Sequence, residues 1–307
     1  MTELSNSILS TYQVRKTKKQ KDAFIALLQT YFPALSIQQG GIAKSRNLIL
    51  GDVKGAKIIL SAHYDTCAVL PFPNFIAPKK PLLSILYSVL IALPIIALIF
   101  LISYLLNWVT REFWVNYIAC IGFCLLTVYL MLAGPANKHT ANDNTSGVIA
   151  LCELYSELSA ENREKIAVVF FDHEELGLFG SSMFRKNYKK EIQNKLLINL
   201  DCVSEGDYFL LAVNKAARSK YYMPLKNVFS DNGEKHILLE KAEKVYYPSD
   251  QSGFPMSVAV AALKHKKFLG HYMDRIHTKR DIVFDEKNII FLKKTLFYYT
   301  VIHSIIY

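Results

Sequence analysis

Residues 166–181 read IAVVFFDHEELGLFGS, an apolar run that ends in a cluster of charged side chains. The first six residues are β-branched, aromatic or small, which is typical of a strand covered on both faces of a sheet. Three acids and a histidine follow directly, and Glu174 and Glu175 are neighbours. Because burial strengthens the repulsion between adjacent carboxylates, we expect a positive group beside them.

Strand-like runs of this kind recur along the chain and alternate with helical patterns. The further strand-like runs are residues 46–51, 56–62, 195–201, 208–213 and 257–263, and the helical patterns are residues 20–32, 144–160 and 288–307. This alternation predicts an α/β fold with a mixed, mostly parallel central sheet flanked by helices. The sequence GDVKG at 51–55 predicts a hairpin turn between the first two strands. Lys293 and Lys294 interrupt the last helical pattern, so we expect that helix to pack on the sheet.

Two long apolar segments interrupt the α/β pattern. Residues 82–106 and 114–134 contain no charged side chain. Each would form a helix roughly 30–37 Å long, which is enough to cross a lipid bilayer. We therefore predict that residues 72–137 are an inserted transmembrane helical hairpin, and that residues 1–71 and 138–307 form one discontinuous domain. A buried helical pair or a dimer interface is the alternative interpretation.

The distribution of charge indicates the side of the bilayer on which the larger domain lies. Lys79, Lys80 and Lys138 flank the predicted hairpin on that side, against Arg111 alone in its turn. The positive-inside rule then predicts a cytoplasmic domain. Five scattered cysteines without a CxxC pair fit a reducing compartment, and the N-terminus shows no secretory signal. The net charge of +10 fits a solvated basic surface or attraction to anionic lipid, and with no nucleic-acid-binding motif we expect no nucleic-acid partner.

Acids and histidines follow several of the predicted strands. His63 and Asp65 follow the second strand-like run, Glu174 and Glu175 follow residues 166–172, and Asp201 ends residues 195–201. Asp143 begins the helix at 144–160. Since sites in α/β sheets form beyond the carboxyl ends of the strands, these side chains are expected to converge.

Five short motifs resemble those of the M28 zinc aminopeptidases, in the same order and at similar spacings. They are HYD at 63–65, ANDNTSG at 141–147, EELGLFGS at 174–181, NLD at 199–201 and IHTKRD at 276–281. The resemblance implies a zinc exopeptidase-like fold and a site for two Zn²⁺ ions, with Co²⁺ or Mn²⁺ as substitutes. It implies that His63 and Asp201 hold one ion, that Glu175 and His277 hold the other, and that Asp143 bridges them.

The resemblance also implies roles beyond metal binding. Glu174 would be the general base, which takes a proton from the attacking water and passes it to the leaving amine. Asp65 would accept the second ring N–H of His63 and orient it. The family often has a cis peptide after the bridging aspartate, which here is the Asp143–Asn144 bond. Gln251 stands where the family's substrate loop often has histidine, so its effect on substrate preference is open.

These features predict a membrane-anchored aminopeptidase with two zinc ions that acts on peptides. A glutaminyl cyclase of the same fold is one alternative; it works with one zinc and lacks the histidine ligand after the first strand. A catalytically inactive receptor or scaffold is another. Carboxypeptidase activity stays open because Lys279 and Arg280 follow His277. Oligomeric state, natural substrate and the purpose of the hairpin are left open.

Overall fold

The computed structural model describes residues 1–306, and it describes side chains as far as residue 301. The strands are β1 (Ser36–Gly40), β2 (Ser45–Leu50), β3 (Ile58–His63), β4 (Ile166–Phe171), β5 (Leu196–Leu200), β6 (Tyr208–Val213), β7 (His236–Lys241), β8 (Met256–Lys266) and β9 (Gly270–Tyr272). The helices are α1 (Glu3–Thr11), α2 (Lys18–Tyr31), α3 (Pro81–Thr110), α4 (Phe113–Ala133), α5 (Gly147–Glu157), α6 (Ala160–Glu164), α7 (Phe179–Asn187), α8 (Lys215–Val228) and α9 (Glu286–Ile306).

The strands form one mixed sheet in the order β1-β2-β4-β3-β5-β8-β6-β7, with β9 paired to β8. The four central strands β4, β3, β5 and β8 are parallel, whereas β1, β2 and β6 join through antiparallel pairings. Every residue of β3, β4 and β5 is buried. This confirms the predicted mixed α/β sheet, and it brings the carboxyl ends of the central strands to one edge.

The predicted hairpin between the first two long strands is wrong. β2 and β3 do not pair with each other, because β4 lies between them, antiparallel to β2 and parallel to β3. The connection therefore crosses the start of β4, where Lys57 N donates to the Lys165 carbonyl at 2.8 Å. Gly51 has φ +84° there, and a Cβ on it would lie 2.6 Å from the Ile166 carbonyl oxygen. The glycine serves a close crossing rather than a tight β-turn.

Helices cover both faces of the sheet. α1, α2, α5, α8 and α9 pack on one face in the larger core cluster, and α7 packs on the other through Phe184. Leu292, Leu296 and Tyr299 of α9 are fully buried, and Phe291 stacks on Phe209 of β6 with the ring centroids 5.1 Å apart, which confirms the predicted packing of the C-terminal helix on the sheet. A buried ion pair between Lys21 of α2 and Asp172 ties the first face to the end of β4.

The helices α3 and α4 contact each other and project from the domain as a hairpin. Both are long and apolar enough to cross a membrane, judged by length and composition, and only Ser84, Ile99 and Ser103 of α3 and no residue of α4 are buried. A buried helical pair within this chain is therefore excluded. The two ends of the hairpin are joined by backbone hydrogen bonds, from Val69 N to the Pro135 carbonyl at 2.8 Å and from Asn137 N to the Cys67 carbonyl at 3.1 Å.

Candidate metal centre

The predicted site residues come from the ends of three central strands and from two loops. His63 is the last residue of β3, Glu175 lies in the loop after β4, and Asp201 directly follows β5. Asp143 lies in the loop before α5, and His277 lies in the loop between β9 and α9. All five line one cavity of about 390 Å³. The structure therefore brings together side chains that are far apart in the sequence.

Asp143 occupies the middle of this cluster. Its Oδ1 lies 3.2 Å from His63 Nε2, and its Oδ2 lies 3.2 Å from His277 Nε2. Asp201 Oδ1 is 3.5 Å from His63 Nε2, while Glu175 Oε2 is 3.3 Å from His277 Nε2. The five side chains thus form two groups, one around each histidine, that share a single aspartate.

The donor atoms of this cluster are better suited to binding a divalent metal than to hydrogen bonding with one another. Glu175 Oε1 and Asp201 Oδ1 are buried and have no hydrogen-bond partner among the described residues. Buried carboxylates without a partner are costly unless a cation compensates them. Imidazole and carboxylate are the ligands that zinc takes in catalytic sites. The cluster therefore has the chemistry of a zinc site.

Neighbouring groups fix the position of Asp143. The carboxylate of Asp281 accepts the backbone N–H of Asn142 at 2.9 Å and that of Asp143 at 3.1 Å. The Asn144 side chain donates to the Leu200 carbonyl at 2.8 Å, which ties this loop to the end of β5. The Asp143–Asn144 peptide bond is cis, as predicted. Asp281 received no separate role from the sequence, but it is buried and positions Asp143.

The loop that carries His277 is fixed to the start of the hairpin. Leu70 N donates to the His277 carbonyl at 2.8 Å. His277 has φ +64°, a left-handed conformation that costs a residue other than glycine about 1–2 kcal/mol. The neighbouring structure holds this backbone in place, so its side chain points toward Asp143 and Glu175.

Asp65 contacts His63 differently from the expectation. The backbone carbonyl of Asp65 is 3.1 Å from His63 Nδ1, whereas its carboxylate Oδ1 is 3.8 Å away. The carboxylate instead accepts the backbone N–H groups of Glu174 at 3.0 Å and Glu175 at 3.3 Å. Asp65 therefore holds the two glutamates as well as facing the histidine.

When no cation is present, the electrostatics of the site favour the protonated forms of its glutamates and of His277. Burial raises the pKa of Glu174 well above its usual value, and the charges of Glu175, Asp201 and Asp250 raise it further against the opposing effect of His63. Burial likewise raises the pKa of Glu175 to about 8. Burial alone would lower the pKa of His277, but Glu175 and Asp143 raise it to about 9. Too many carboxylates are gathered for two imidazoles to neutralise.

Two residues near the cluster received no role from the sequence. Cys67 is buried, and its Sγ, a Glu175 oxygen and a His277 ring nitrogen lie within 4.8 Å of one another. Asp250 is fully buried, neither of its oxygens has a hydrogen-bond partner among the described residues, and burial raises its pKa to about 7. In the sequence, Cys67 lies two residues after Asp65 and Asp250 lies next to Gln251, and these positions were the only indications of a role.

Other candidate residues are engaged away from the cavity. Asp172, which lies two residues before Glu174, pairs with Lys21 and accepts the backbone N–H of Arg46 at 2.9 Å. The Gln251 side chain donates to the Tyr247 carbonyl at 2.8 Å and accepts from Asn199 at 3.1 Å, so it stabilises its own loop. Tyr247 in turn lines the cavity and donates its hydroxyl to the Asp201 carbonyl at 3.0 Å.

We predict that the metal-free protein loses stability as the pH rises from about 5 to 9. The pKa of Glu175 rises on folding from 4.5 to about 8, and that of His277 from 6.5 to about 9. A folded-state pKa above the unfolded value adds stability that is present at low pH and lost as the pH passes through the folded value. The melting temperature of chelator-treated protein in detergent should therefore fall across this range.

The variant Glu175→Gln provides the control for this pH dependence. A glutamine does not titrate, so the decline in melting temperature between pH 5 and 8 should be shallower. A melting temperature that rises with pH in the metal-free protein would contradict the predicted coupling.

Comparison with known proteins identifies the family of the chain and its fold. The model of peptidase family M28 matches residues 127–292. No curated protein sequence matches the chain. The LapA aminopeptidase of Legionella pneumophila superposes with a TM-score of 0.56 at 12% identity, covering 97% of this chain and 68% of that one.

Two further solved structures are similar over nearly their whole length. The glutaminyl cyclase of Porphyromonas gingivalis gives a TM-score of 0.59 at 17% identity and covers 97% of this chain and 98% of that one. A Zn-dependent exopeptidase of Parabacteroides distasonis gives 0.55 at 14% identity, covering 97% and 94%. At these identities the likeness shows the fold alone, which is that of zinc-dependent exopeptidases.

The family match begins inside α4, so His63 and Asp65 lie outside it. The long insertion between β3 and the loop of Asp143 separates the first motif from the others, although the fold brings His63 to within 3.2 Å of Asp143. The matched segment itself contains Asp143, Glu175, Asp201 and His277. Because that segment is more than half of the 307 residues, the chain belongs to peptidase family M28.

Proposed function

We propose that this chain is a membrane-anchored aminopeptidase that uses two zinc ions to remove N-terminal residues from peptides. The observation that carries the proposal is the placement of Asp143, whose two carboxylate oxygens face two different histidines at 3.2 Å. A carboxylate with one oxygen toward each of two ligand groups suits a pair of divalent cations, which need a bridging anion to offset their repulsion.

The two groups of side chains give the ligands of each ion. His63 and Asp201 would hold one ion, Glu175 and His277 the other, and Asp143 would contact both. Cys67 lies close enough to the second group to act as an additional donor. When bound, the ions would polarise the scissile carbonyl and promote the ionisation of water.

Glu174 is the proposed general base. It lies beside the cluster, where a Glu174 oxygen, a Glu175 oxygen and a His63 ring nitrogen are within 4.8 Å of one another. The Asp65 carboxylate holds the backbone N–H of Glu174, which fixes the start of the loop after β4. From this place Glu174 can take the proton from the attacking water and return it to the nitrogen of the leaving amine.

The charge of the cavity supports an aminopeptidase over a carboxypeptidase. Among the described residues, the lining contains acids and histidines but no lysine or arginine. Lys279 and Arg280 are exposed, and Arg280 donates to the Asp274 carbonyl instead. A free N-terminal ammonium has acids to pair with in such a cavity, whereas a substrate carboxylate has no lysine or arginine side chain to receive it.

The apolar hairpin supports attachment to a membrane. Two exposed apolar helices of this length form a surface larger than monomeric soluble proteins normally leave in water. Residues 1–71 and 138–307 then form the catalytic domain, and residues 72–137 form the anchor. The flanking Lys79, Lys80 and Lys138 favour a cytoplasmic catalytic domain.

The alternatives differ in features of the site. The single-zinc glutaminyl cyclase lacks a histidine at the end of the first central strand, whereas His63 lies here within 3.5 Å of Asp201. An inactive receptor or scaffold would have no need to keep so many buried acids without partners, because each is costly to bury. Both features favour the peptidase.

Hydrolysis of aminoacyl p-nitroanilides by the purified full-length protein in detergent tests the proposal. We expect turnover that a chelator abolishes and added zinc restores. The N-acetylated forms of the same substrates are the matched control, and we expect them to react at least about 100-fold more slowly if the cavity selects a free ammonium. Equal rates for free and blocked substrates, or activity that survives the chelator, would overturn the assignment.

A further inference from the structure

A second cavity, of about 540 Å³, lies between the hairpin and the metal centre. We call it the hairpin cavity; it is bounded by α3, α4 and the loop at residues 70–75. Ile91, Ile95 and Ile99 line it from α3, at a spacing of four residues that places side chains on one helix face. Its volume is in the range of about 300–1,000 Å³ that is usual for small-molecule sites.

The hairpin cavity offers few groups for a polar ligand to bond; its polar side chains are those of Asn74, Tyr87, Ser88, Cys124, Thr127 and His277. Its lining from the second helix and the loop is again mostly apolar, and includes Val128, Met131 and Phe72. The hydroxyls of Ser88 and Thr127 donate to carbonyls of their own helices, at 3.0 Å and 2.8 Å. A peptide main chain placed here would leave its N–H and C=O groups without partners, which is costly. A hydrocarbon chain carries no such penalty.

The hairpin cavity adjoins the metal centre directly. His277 and Asn74 line both cavities. Asn74 N donates to the Ile276 carbonyl at 3.3 Å, so the loop that forms one wall of the hairpin cavity is attached to the segment that carries the histidine. Along α4, Met131 lines the hairpin cavity and the next residue, Leu132, lines the metal cavity.

We propose that the hairpin cavity binds a hydrocarbon chain of the substrate, attached to an amide whose scissile bond lies at the metal centre. This inference rests on the proposed hydrolytic function and names its substrate class: amides that partition into the bilayer through an alkyl or acyl chain. In the reaction water adds its oxygen to the carbonyl carbon, the C–N bond breaks, and a proton from the water goes to the leaving nitrogen. No other co-reactant is required.

The hydrocarbon chain can be attached on either side of the scissile bond, and two series of substrates distinguish these two positions. Leucine alkylamides carry it on the amine side and keep the free N-terminus that the proposed aminopeptidase selects, so they are the expected series, whereas N-acyl leucines carry it on the acyl side and lack that N-terminus. Burial of each methylene is worth about two- to fourfold in affinity. Lengthening the chain from four to ten carbons adds six methylenes and should therefore raise kcat/KM by about 60-fold or more in the alkylamide series if all six are buried.

The variant Ala92→Trp tests whether the gain arises in the hairpin cavity. Ala92 lines it, whereas Leu93 on the same helix is 59% exposed and does not. We expect Ala92→Trp to bring the ten-carbon to four-carbon ratio of kcat/KM close to one, and the control Leu93→Trp to keep the wild-type ratio. Val128→Trp fills the cavity from α4 and should act in the same way if Ala92→Trp does not fold.

Binding provides a measurement that does not need turnover. Titration of leucine decylamide and butylamide, and of decanoyl and butanoyl leucine, into the Glu174→Gln protein should show tighter binding of the longer chain in one series. Equal affinities for short and long chains in both series, or a ratio that Ala92→Trp and Val128→Trp leave unchanged, would overturn the inference. Chelator-sensitive hydrolysis of leucine p-nitroanilide would still support the peptidase in that case.

Discussion

The Glu174→Gln protein should hydrolyse leucine p-nitroanilide about 10²–10⁴-fold more slowly than the wild type, while its zinc content stays the same. Glutamine has nearly the shape of glutamate but cannot accept a proton, so the loss isolates the proton transfer. The backbone N–H of residue 174 would still donate to Asp65, and the loop after β4 should keep its position. The measurements are kcat/KM and metal content per chain by mass spectrometry.

The same variant distinguishes a base from a ligand. Because a Glu174 oxygen lies within 4.8 Å of donor atoms of His63 and Glu175, a third carboxylate ligand is a specific competing role. If Glu174 binds metal, the variant loses zinc together with activity, and added zinc restores part of the rate. Glu161→Gln is the matched control, since the Glu161 side chain is 80% exposed on α6, and it should retain full activity.

The sequence was sufficient for the parts of the fold that rest on strong hydrophobic patterns. β3, β4 and β5 are buried along their whole length, so their apolar runs were clear, and the polar residues that end them marked the edge of the sheet. The residues that converge there were predictable because parallel neighbours end together. The identity of the family followed from the order of the motifs rather than from any one of them.

The failures have a common cause, which is that they depend on contacts between segments distant in the chain. β1 and β7 were missed because they lie at the two edges of the sheet, and their side chains are largely exposed or only partly buried. The order of β2, β4 and β3 was missed because the turn residues between β2 and β3 favour a hairpin. Nothing in that local sequence indicates that β4 lies between the two strands in the sheet. Asp281 was missed because its two partners are backbone N–H groups of a loop about 140 residues away.

The placement of the hairpin depends on such contacts as well. The sequence predicted two apolar helices, and the structure adds that their ends meet beside the His277 loop and that Leu132 lines the metal cavity. The Lys16 ammonium donates to the Leu132 carbonyl, which links the segment after α1 to the last turn of α4. Because Leu132 belongs to α4, the hairpin is also part of the wall of the site.

The wild-type protein should bind two zinc ions per chain, and the His63→Ala variant should bind one. His63 lies between Asp143 and Asp201, so its loss leaves the first group with carboxylates only. The second group around His277 keeps its histidine, Glu175 and Asp143. Loss of groups that merely support a ligand lowers metal affinity about 10–100-fold, and loss of the ligand itself should exceed that. Activity should fall at least as far.

The Asp143→Asn variant tests whether one aspartate contacts both zinc ions. If Asp143 contacts both ions, this variant should weaken both sites, whereas His63→Ala should weaken only one. His139→Ala is the control, because His139 is an exposed histidine close to the site in sequence and should leave both ions in place. A wild-type protein with one zinc would favour the cyclase-like chemistry, because a single ion gives Asp143 nothing to bridge. Two ions in the His63→Ala protein would instead show that the histidine at the end of β3 is not a ligand, and the proposed assignment of Asp201 to the same ion would fail with it.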